Sequence, residues 1–108
     1  MTNKAWGILS LCRKAGKLKM GFEPVKETLW QQEARLILYA DDVSEKTRES
    51  MNWHLRQSDR PPPCRVLSAS MEELAAICGK RTGVLAITDQ GLAEAIEKLL
   101  NQSEEEAN

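Results

Sequence analysis

The sequence has no apolar run long enough to cross a membrane. A membrane-spanning helix needs about 20 consecutive apolar residues, whereas the apolar run at residues 36–40 is only strand-sized. The first residues, Met1–Lys4, also lack the apolar core and cleavage site of a signal peptide. We therefore expect a cytoplasmic protein without a membrane partner.

Cysteine and histidine are too sparse to suggest a metal site. The chain has three cysteines and one histidine, and its cysteines form no CxxC pair. Each cysteine lies in an apolar pattern, so we expect three reduced and buried core thiols: Cys12, Cys64 and Cys78. The histidine, His54, is expected to be a surface or partly buried helix residue, because no nucleophile or orienting partner accompanies it.

Two polar motifs favour structural roles over catalysis. Asp41–Asp42 follows an apolar strand and offers two carboxylates to a metal or to acid–base chemistry, but residues 42–47 have the spacing of a helix cap. The basic loop Gly79–Gly83 lacks the length and the Gly-Lys-Ser/Thr ending of a nucleotide-binding loop. We expect no metal, no cofactor and no enzymatic activity.

Hydrophobic periodicity predicts a small α/β domain. A chain of 108 residues suggests one domain, and 42% hydrophobic with 29% charged residues indicates a globular one. Pro24 is expected to open the second helix, and Gly16 to close the first in a left-handed conformation. Apolar spacing predicts five helices: four at about 4–15, 24–32, 70–78 and 89–101, and one between the second and third of these that ends near residue 57. It predicts strands at 18–20, 34–40, 64–67 and 83–88. This order predicts a three-layer α/β/α sandwich over residues 1–102, followed by a disordered acidic tail at 103–108.

The net charge of −1 conceals a basic beginning. Residues 1–26 carry a net charge of +5, and the remaining residues carry −6. The segment Gly16–Glu27 contains two lysines between two glycines and leads into a predicted helix start, whose free amides favour an anion. This pattern favours a phosphate-rich partner, although solvated lysines at an ordinary corner of the fold give the same pattern.

Four segments occur in a fixed order and spacing: LCRKAGKL at 11–18 with Gly21, ARLILYADDVS at 34–44 with Thr47, residues 73–75 with 78–80, and VLAITDQGLA at 84–93. Together they resemble the L-seven-Ae family of kink-turn RNA-binding ribosomal proteins, in particular its bacterial YlxQ-like branch. The resemblance covers about residues 5–100. It implies an α/β/α sandwich around a mixed four-stranded sheet, and RNA binding without catalysis.

The resemblance also assigns candidate RNA-binding positions. The family's signature reads glycine, a small residue, asparagine, glutamate, valine, threonine and lysine. Gly21 and Val25 match it, whereas Phe22, Glu23, Pro24, Lys26 and Glu27 stand at the other positions. Lys80 and Arg81 correspond to the family's second RNA-facing loop and suit phosphate contact. Together with the basic beginning, the candidate set is Lys14, Lys17, Lys19, Gly21, Phe22, Glu23, Lys26, Lys80 and Arg81.

Two functions follow from these patterns. The first is binding of structured RNA, either ribosomal RNA or a regulatory kink-turn, with ribosomal proteins as further partners. The second is a protein-interaction module of the same fold that no longer recognises kink-turns, since the signature's asparagine, glutamate and lysine are not retained in place.

Overall fold

Five helices and four short strands make up the part of the chain that the structure describes. The computed structural model describes the backbone of residues 1–107 and the side chains of residues 1–102. The elements are α1 (Asn3–Lys14), β1 (Leu18–Met20), α2 (Phe22–Trp30), β2 (Leu36–Tyr39), α3 (Glu45–Arg56), β3 (Cys64–Val66), α4 (Met71–Cys78), β4 (Val84–Ile87) and α5 (Gln90–Ala107). Their order is the one that the sequence predicts.

Local hydrogen bonds fix most of the helix boundaries. The side chains of Thr2 and Ser44 accept hydrogen bonds from backbone N–H groups at the starts of α1 and α3. Ser70 and Glu73 form the predicted capping box at the start of α4. The bond from the Ser70 backbone N–H lowers the pKa of the Glu73 carboxyl. Gly16 follows α1 at φ +71°, which confirms the predicted left-handed ending.

Helix α2 begins earlier than the sequence predicts. Its first residue is Phe22, so Pro24 occupies the third helical position instead of the first. The helix tolerates this proline because the first four N–H groups of a helix have no intrahelical acceptor. The start is set instead by Gly21, whose carbonyl accepts the Val25 N–H at 3.1 Å.

The strands form one mixed sheet in the order β1-β4-β2-β3. Strand β4 is antiparallel to both neighbours, β1 and β2, whereas β2 and β3 are parallel. Successive side chains of a strand point to opposite faces of its sheet, so alternate residues of β2 face different helix layers. Leu36 and Leu38 pack with α1, α4 and α5, whereas Ile37 and Tyr39 pack with α2 and α3. This arrangement confirms the three-layer sandwich around a mixed four-stranded sheet.

The prediction that all three cysteines are buried is wrong for Cys64. Cys12 and Cys78 are buried, but Cys64 is exposed because β3 is an edge strand with a neighbour on one side only. Burial raises the pKa of the Cys12 thiol to about 11. Desolvation also raises the pKa of the Cys64 thiol, although the nearby Arg48 guanidinium opposes this shift.

The last helix extends beyond the predicted boundary. The sequence predicts a helix ending near residue 101 and a disordered tail, but α5 runs to Ala107. Alanine and glutamate are good helix formers, and no glycine or proline interrupts residues 103–107. Asn108 lies outside the described residues, and the division between domain and tail at residues 102 and 103 stays a prediction.

Substitution of a buried β4 side chain tests the sheet assignment. Leu85 is fully buried, so Leu85→Ala removes burial and leaves a cavity, and should lower the free energy of unfolding by about 2–5 kcal/mol. Leu11 on α1 is 52% exposed, so Leu11→Ala should change this free energy by less than about 1 kcal/mol. Urea unfolding of both variants measures the difference. Equal midpoints for Leu85→Ala and Leu11→Ala would argue against a central β4.

Candidate nucleic-acid interface

A cleft of about 410 Å³ lies at one end of the sheet, where β1 and β2 end and β4 begins. Its walls come from the start of α2, the β2–α3 connection, the start of α4 and the loop of residues 79–83. We call it the strand-end cleft. Four of the sequence-predicted binding residues line it: Gly21, Phe22, Lys80 and Arg81.

Two backbone hydrogen bonds join the walls of the strand-end cleft. The Gly21 N–H donates to the Val84 carbonyl at 2.9 Å, and the Ala40 N–H donates to the Gly83 carbonyl at 3.0 Å. Gly21 has φ +95° and ψ 161°, a conformation that is open essentially to glycine alone. The end of β1 can therefore turn directly into α2 with Phe22 at the cleft.

Gly83 allows the β2–α3 connection to approach β4 closely. A Cβ atom at Gly83 would lie 2.9 Å from Cγ2 of Val43 and 3.4 Å from Cε of Met71. The first distance is shorter than real Cβ atoms show, so a side chain here would displace Val43. Glycine at this position thus determines how narrow the strand-end cleft is.

The basic loop is folded back onto α4 and carries its cations outward. The Thr82 hydroxyl donates to the Lys80 carbonyl at 2.9 Å, and the Thr82 N–H donates to the Met71 carbonyl at 3.4 Å. Thr82 is buried, whereas Lys80 and Arg81 are exposed. The loop therefore presents two positive side chains at the cleft on a backbone that is tied to the start of α4.

Asp42 has a capping role, but not at the helix that the sequence suggests. Its Oδ1 accepts the Met71 N–H at 2.8 Å, so it caps α4. Ser44 alone supplies the side-chain cap of α3, where it accepts the Thr47 N–H at 3.1 Å. A carboxylate in this position links the cleft wall after β2 to the wall formed by α4.

The start of α2 combines free backbone donors with an ion pair. Gly21 provides no side-chain cap and Pro24 has no N–H, so the N–H groups of Phe22 and Glu23 are the ones open to another acceptor. Lys26 pairs with Glu23 at 2.7 Å, one turn apart on the helix surface. Both Glu23 and Lys26 belong to the predicted binding set, and neither lines the strand-end cleft.

The remaining predicted lysines lie away from the strand-end cleft. Lys17 adjoins Thr88, whose N–H donates to the Lys17 carbonyl, at the other end of β1 from Gly21. Lys19 is exposed in the middle of β1, opposite Ala86. Lys14 lies beside α4 in a separate depression. The lysines of the basic beginning are therefore distributed between β1 and the end of α1 instead of forming one patch.

Sequence reasoning missed several residues that form the strand-end cleft. Val43 lines it from the β2–α3 connection and Thr47 from the first turn of α3, and Gly83 controls its width. Gly83 carried a usable signal, since it separates the basic loop from a continuous apolar strand. Val43 and Thr47 belong to the second segment of the family resemblance, but their place in the cleft depends on how β2 pairs with β4 and could not be read from the sequence.

Two further properties hold for the described residues. None of the described helices has both the length and the apolar composition needed to span a bilayer. Within the same residues, no group of three or more histidine, cysteine, aspartate or glutamate side chains is placed to hold a metal ion.

Comparison with known sequences places the chain in a family. The model of the Ribosomal protein L7Ae/L30e/S12e/Gadd45 family matches residues 4–97, so the chain belongs to this family. It is 30% identical over 97 residues to an RNA-binding protein YlxQ of Enterococcus faecium, covering 90% of this chain and 91% of that protein. It is also 26% identical to the large ribosomal subunit protein eL30 of Candida albicans, covering 84% and 86% of the two chains.

Solved structures share the fold at lower sequence identity. A Bacillus halodurans protein of unknown function superposes with a TM-score of 0.79 at 20% identity, over 93% of this chain and 99% of that one. A Giardia lamblia 15.5kD RNA binding protein gives a TM-score of 0.66 at 15% identity, over 96% and 91%. Both comparisons support the sandwich architecture.

Two glycine substitutions test how the strand-end cleft is built. Gly21→Ala forces a side chain into a strained conformation and should lower the free energy of unfolding by about 1–3 kcal/mol. Gly7 lies within α1 with open space around it, so Gly7→Ala should raise this free energy by about 0.5–1 kcal/mol. Urea unfolding distinguishes the opposite signs. If Gly21→Ala is as stable as wild type, the turn into α2 does not depend on this conformation.

Proposed function

We propose that this protein binds structured RNA, without catalysis, through the strand-end cleft and the basic side chains around it. The family match supports this proposal, as does the similarity to proteins named as RNA-binding and ribosomal. The observation that carries it is the meeting of Lys80 and Arg81 with the uncapped start of α2 across one cleft.

The chemistry of the strand-end cleft suits the RNA backbone better than base edges. Lys80 and Arg81 supply positive charge, and the start of α2 supplies backbone N–H groups and the positive end of a helix dipole. These groups contact phosphates and position an RNA, but they carry no sequence information themselves. Recognition would therefore depend on the shape of a folded RNA, as in a kinked helix or in ribosomal RNA.

The more specific parts of the proposal concern the RNA and the binding residues. We propose a kink-turn-like or ribosomal RNA as the ligand, in the cytoplasm, with a ribosome-associated or regulatory role and ribosomal proteins as neighbours. Lys26 and Glu23 would lie beside the bound RNA at the start of α2, while Lys14, Lys17 and Lys19 would contact it only if it extends along the sheet.

A protein-interaction module is the second candidate. The exposed Glu27 on α2 favours it, because a negative charge stands where the family signature has a lysine. Glu23 adds a carboxylate to the first turn of the same helix. Both groups would repel a phosphate near α2, which leaves the basic loop as the main source of attraction.

Removal of the loop cations tests phosphate binding. The double variant Lys80→Ala/Arg81→Ala should weaken binding to a kink-turn RNA and to a straight RNA duplex. The slope of log affinity against log salt should become shallower by roughly 0.7–0.9 for each phosphate that the variant no longer neutralises. Filter-binding titrations at several salt concentrations measure both effects.

A lysine on a different surface provides the matched control. Lys98 is exposed beside the groove between α1 and α5, so Lys98→Ala should leave affinity and salt slope unchanged. If the double variant also binds like wild type, the strand-end cleft is not the phosphate site. If wild-type protein shows no salt-dependent binding to either RNA, the interaction-module candidate takes precedence.

A charge reversal on α2 tests kink-turn preference. Glu27→Lys places the family's positive charge on the exposed face of α2, and should tighten binding to the kink-turn RNA more than to the straight duplex. Glu27→Gln removes the negative charge without adding a positive one, and separates relief of repulsion from a new contact. Equal gains on both RNAs for Glu27→Lys would show that the effect is general electrostatic attraction and would contradict a kink-specific contact.

A further inference from the structure

Three aromatic rings surround His54 on the surface between α2 and α3. The centroid of the His54 ring lies 6.1 Å from Phe22, 5.5 Å from Trp30 and 5.0 Å from Trp53. Trp30 and Trp53 are 64% and 52% exposed. We call these four residues the aromatic cluster.

The aromatic cluster is held in place by its own contacts. The indole N–H of Trp30 donates to Nδ1 of His54 at 3.1 Å, and Trp53 meets the His54 ring nearly edge-on, at 87°. Since Nδ1 accepts this bond, the neutral imidazole carries its proton on Nε2. The hydrogen-bonding capacity of Trp30 is thus used within the protein, and what it offers outward is its ring surface.

The surface is aromatic instead of generally hydrophobic. The large hydrophobic side chains that are exposed in the described part of the chain are Leu11, Trp30, Trp53 and Val66, and the two aliphatic ones lie elsewhere, on α1 and β3. Fixed, exposed rings without an exposed large aliphatic neighbour suit a planar ligand that stacks.

A small cleft beside the aromatic cluster adds polar groups at its edge. It measures about 200 Å³ and is lined by Leu29, Trp30 and His54 together with the polar side chains of Gln57 and Asp59. Pockets for drug-sized ligands measure roughly 300–1,000 Å³, so this cleft matches a single planar ring better than a larger molecule. Amide and carboxylate groups beside stacked rings can hydrogen-bond the edge of a nucleobase.

Phe22 makes the aromatic cluster continuous with the strand-end cleft. It lines that cleft, and its ring also contacts His54. From Phe22 to Trp30 the helix α2 advances by eight residues, or roughly 12 Å. An RNA strand whose phosphates contact Lys80 and Arg81 would therefore pass Phe22 before it reaches the two tryptophans.

We propose that the aromatic cluster binds an unpaired nucleobase of the RNA held at the strand-end cleft, by stacking on Trp30 or Trp53. This inference rests on the proposed function and extends it, since it adds a contact to single-stranded RNA beyond the folded element. Trp30 and Trp53 are the stacking residues. His54 is a positioning residue that fixes the ring of Trp30 through its Nδ1 atom.

Two RNAs and two variants test this proposal. The probes are a kink-turn RNA with blunt ends and the same RNA with an unpaired oligouridine extension. Wild-type protein should bind the extended RNA more tightly. Trp53→Leu keeps an apolar side chain but removes the ring, and should weaken binding to the extended RNA by roughly 5- to 150-fold, the value of one base–aromatic stack. The same substitution should leave the affinity for the blunt-ended RNA unchanged, as well as the slope of log affinity against log salt.

A conservative variant separates stacking from folding. Trp53→Phe retains a ring and should keep most of the preference for the extended RNA. Because Trp53 is 52% exposed, both variants should retain the wild-type circular dichroism spectrum and urea midpoint. If the extension adds no affinity, or if Trp53→Leu and Trp30→Leu each keep the full gain, the stacking proposal is wrong and the surface is open to a protein partner.

Failure of the proposed function would give a different pattern. In that case the blunt kink-turn RNA would show no salt-dependent binding, and Lys80→Ala/Arg81→Ala would change nothing. A titration with oligouridine alone then still tests the aromatic cluster. Quenching of tryptophan fluorescence that Trp53→Leu or Trp30→Leu abolishes supports stacking, and unchanged fluorescence overturns it.

Discussion

Two adjacent carbonyl groups at the beginning of β4 hold together the surface on which the proposed function depends. Successive carbonyls of a strand point to opposite sides, so Gly83 accepts a bond from Ala40 after β2 while Val84 accepts one from Gly21 after β1. These bonds bring the starts of α2 and α3 to the same end of the sheet. Because Gly83 has no side chain, Val43 and Met71 can approach the beginning of β4 closely. A central strand antiparallel to both neighbours is what makes this convergence possible, because its beginning lies where both neighbours end.

Local sequence was sufficient to predict the helices and strands, but not the burial of their residues or every boundary. Caps and periodicity act within a few residues, so the capping box at Ser70 and the left-handed Gly16 could be predicted correctly. The exposure of Cys64 could not, because an apolar pattern does not show that a strand will lie at a sheet edge. The beginning of α2 was misplaced for a related reason. Pro24 is favoured at the first helical position but is tolerated up to the third, and the conformation of Gly21, with its bond to Val84, places the helix start at Phe22 instead.

The candidate site depends even more on tertiary structure that local sequence does not show. Net charge along the sequence suggested one basic patch, yet β1 separates Lys17 from Gly21 at its two ends. Proximity in sequence did not imply a shared surface, since an extended strand advances about 3.3 Å per residue. Conversely, Trp30 and Trp53 lie on different helices and come together only because α2 and α3 pack side by side on one face of the sheet. A signal for them existed in part, because Trp53 lies off the helix face that carries Met51 and Leu55.

The electrostatics of the strand-end cleft constrain how an RNA would approach it. Glu23 stabilises the first turn of α2 through the helix dipole and pairs with Lys26, so this wall has little net positive charge. A surface pair of this kind, in which Glu23 is exposed and Lys26 partly exposed, is worth only about 0–1 kcal/mol. Lys26 can therefore exchange its partner for a phosphate, whereas Glu23 remains as a repulsive group. In the part of the chain that the structure describes, neither Lys80 nor Arg81 forms an ion pair. Phosphates would thus be drawn first to the loop wall, and at the α2 wall of the cleft only the backbone N–H groups would contact them. That orientation directs bases toward Phe22, which is the side from which the aromatic cluster can be reached.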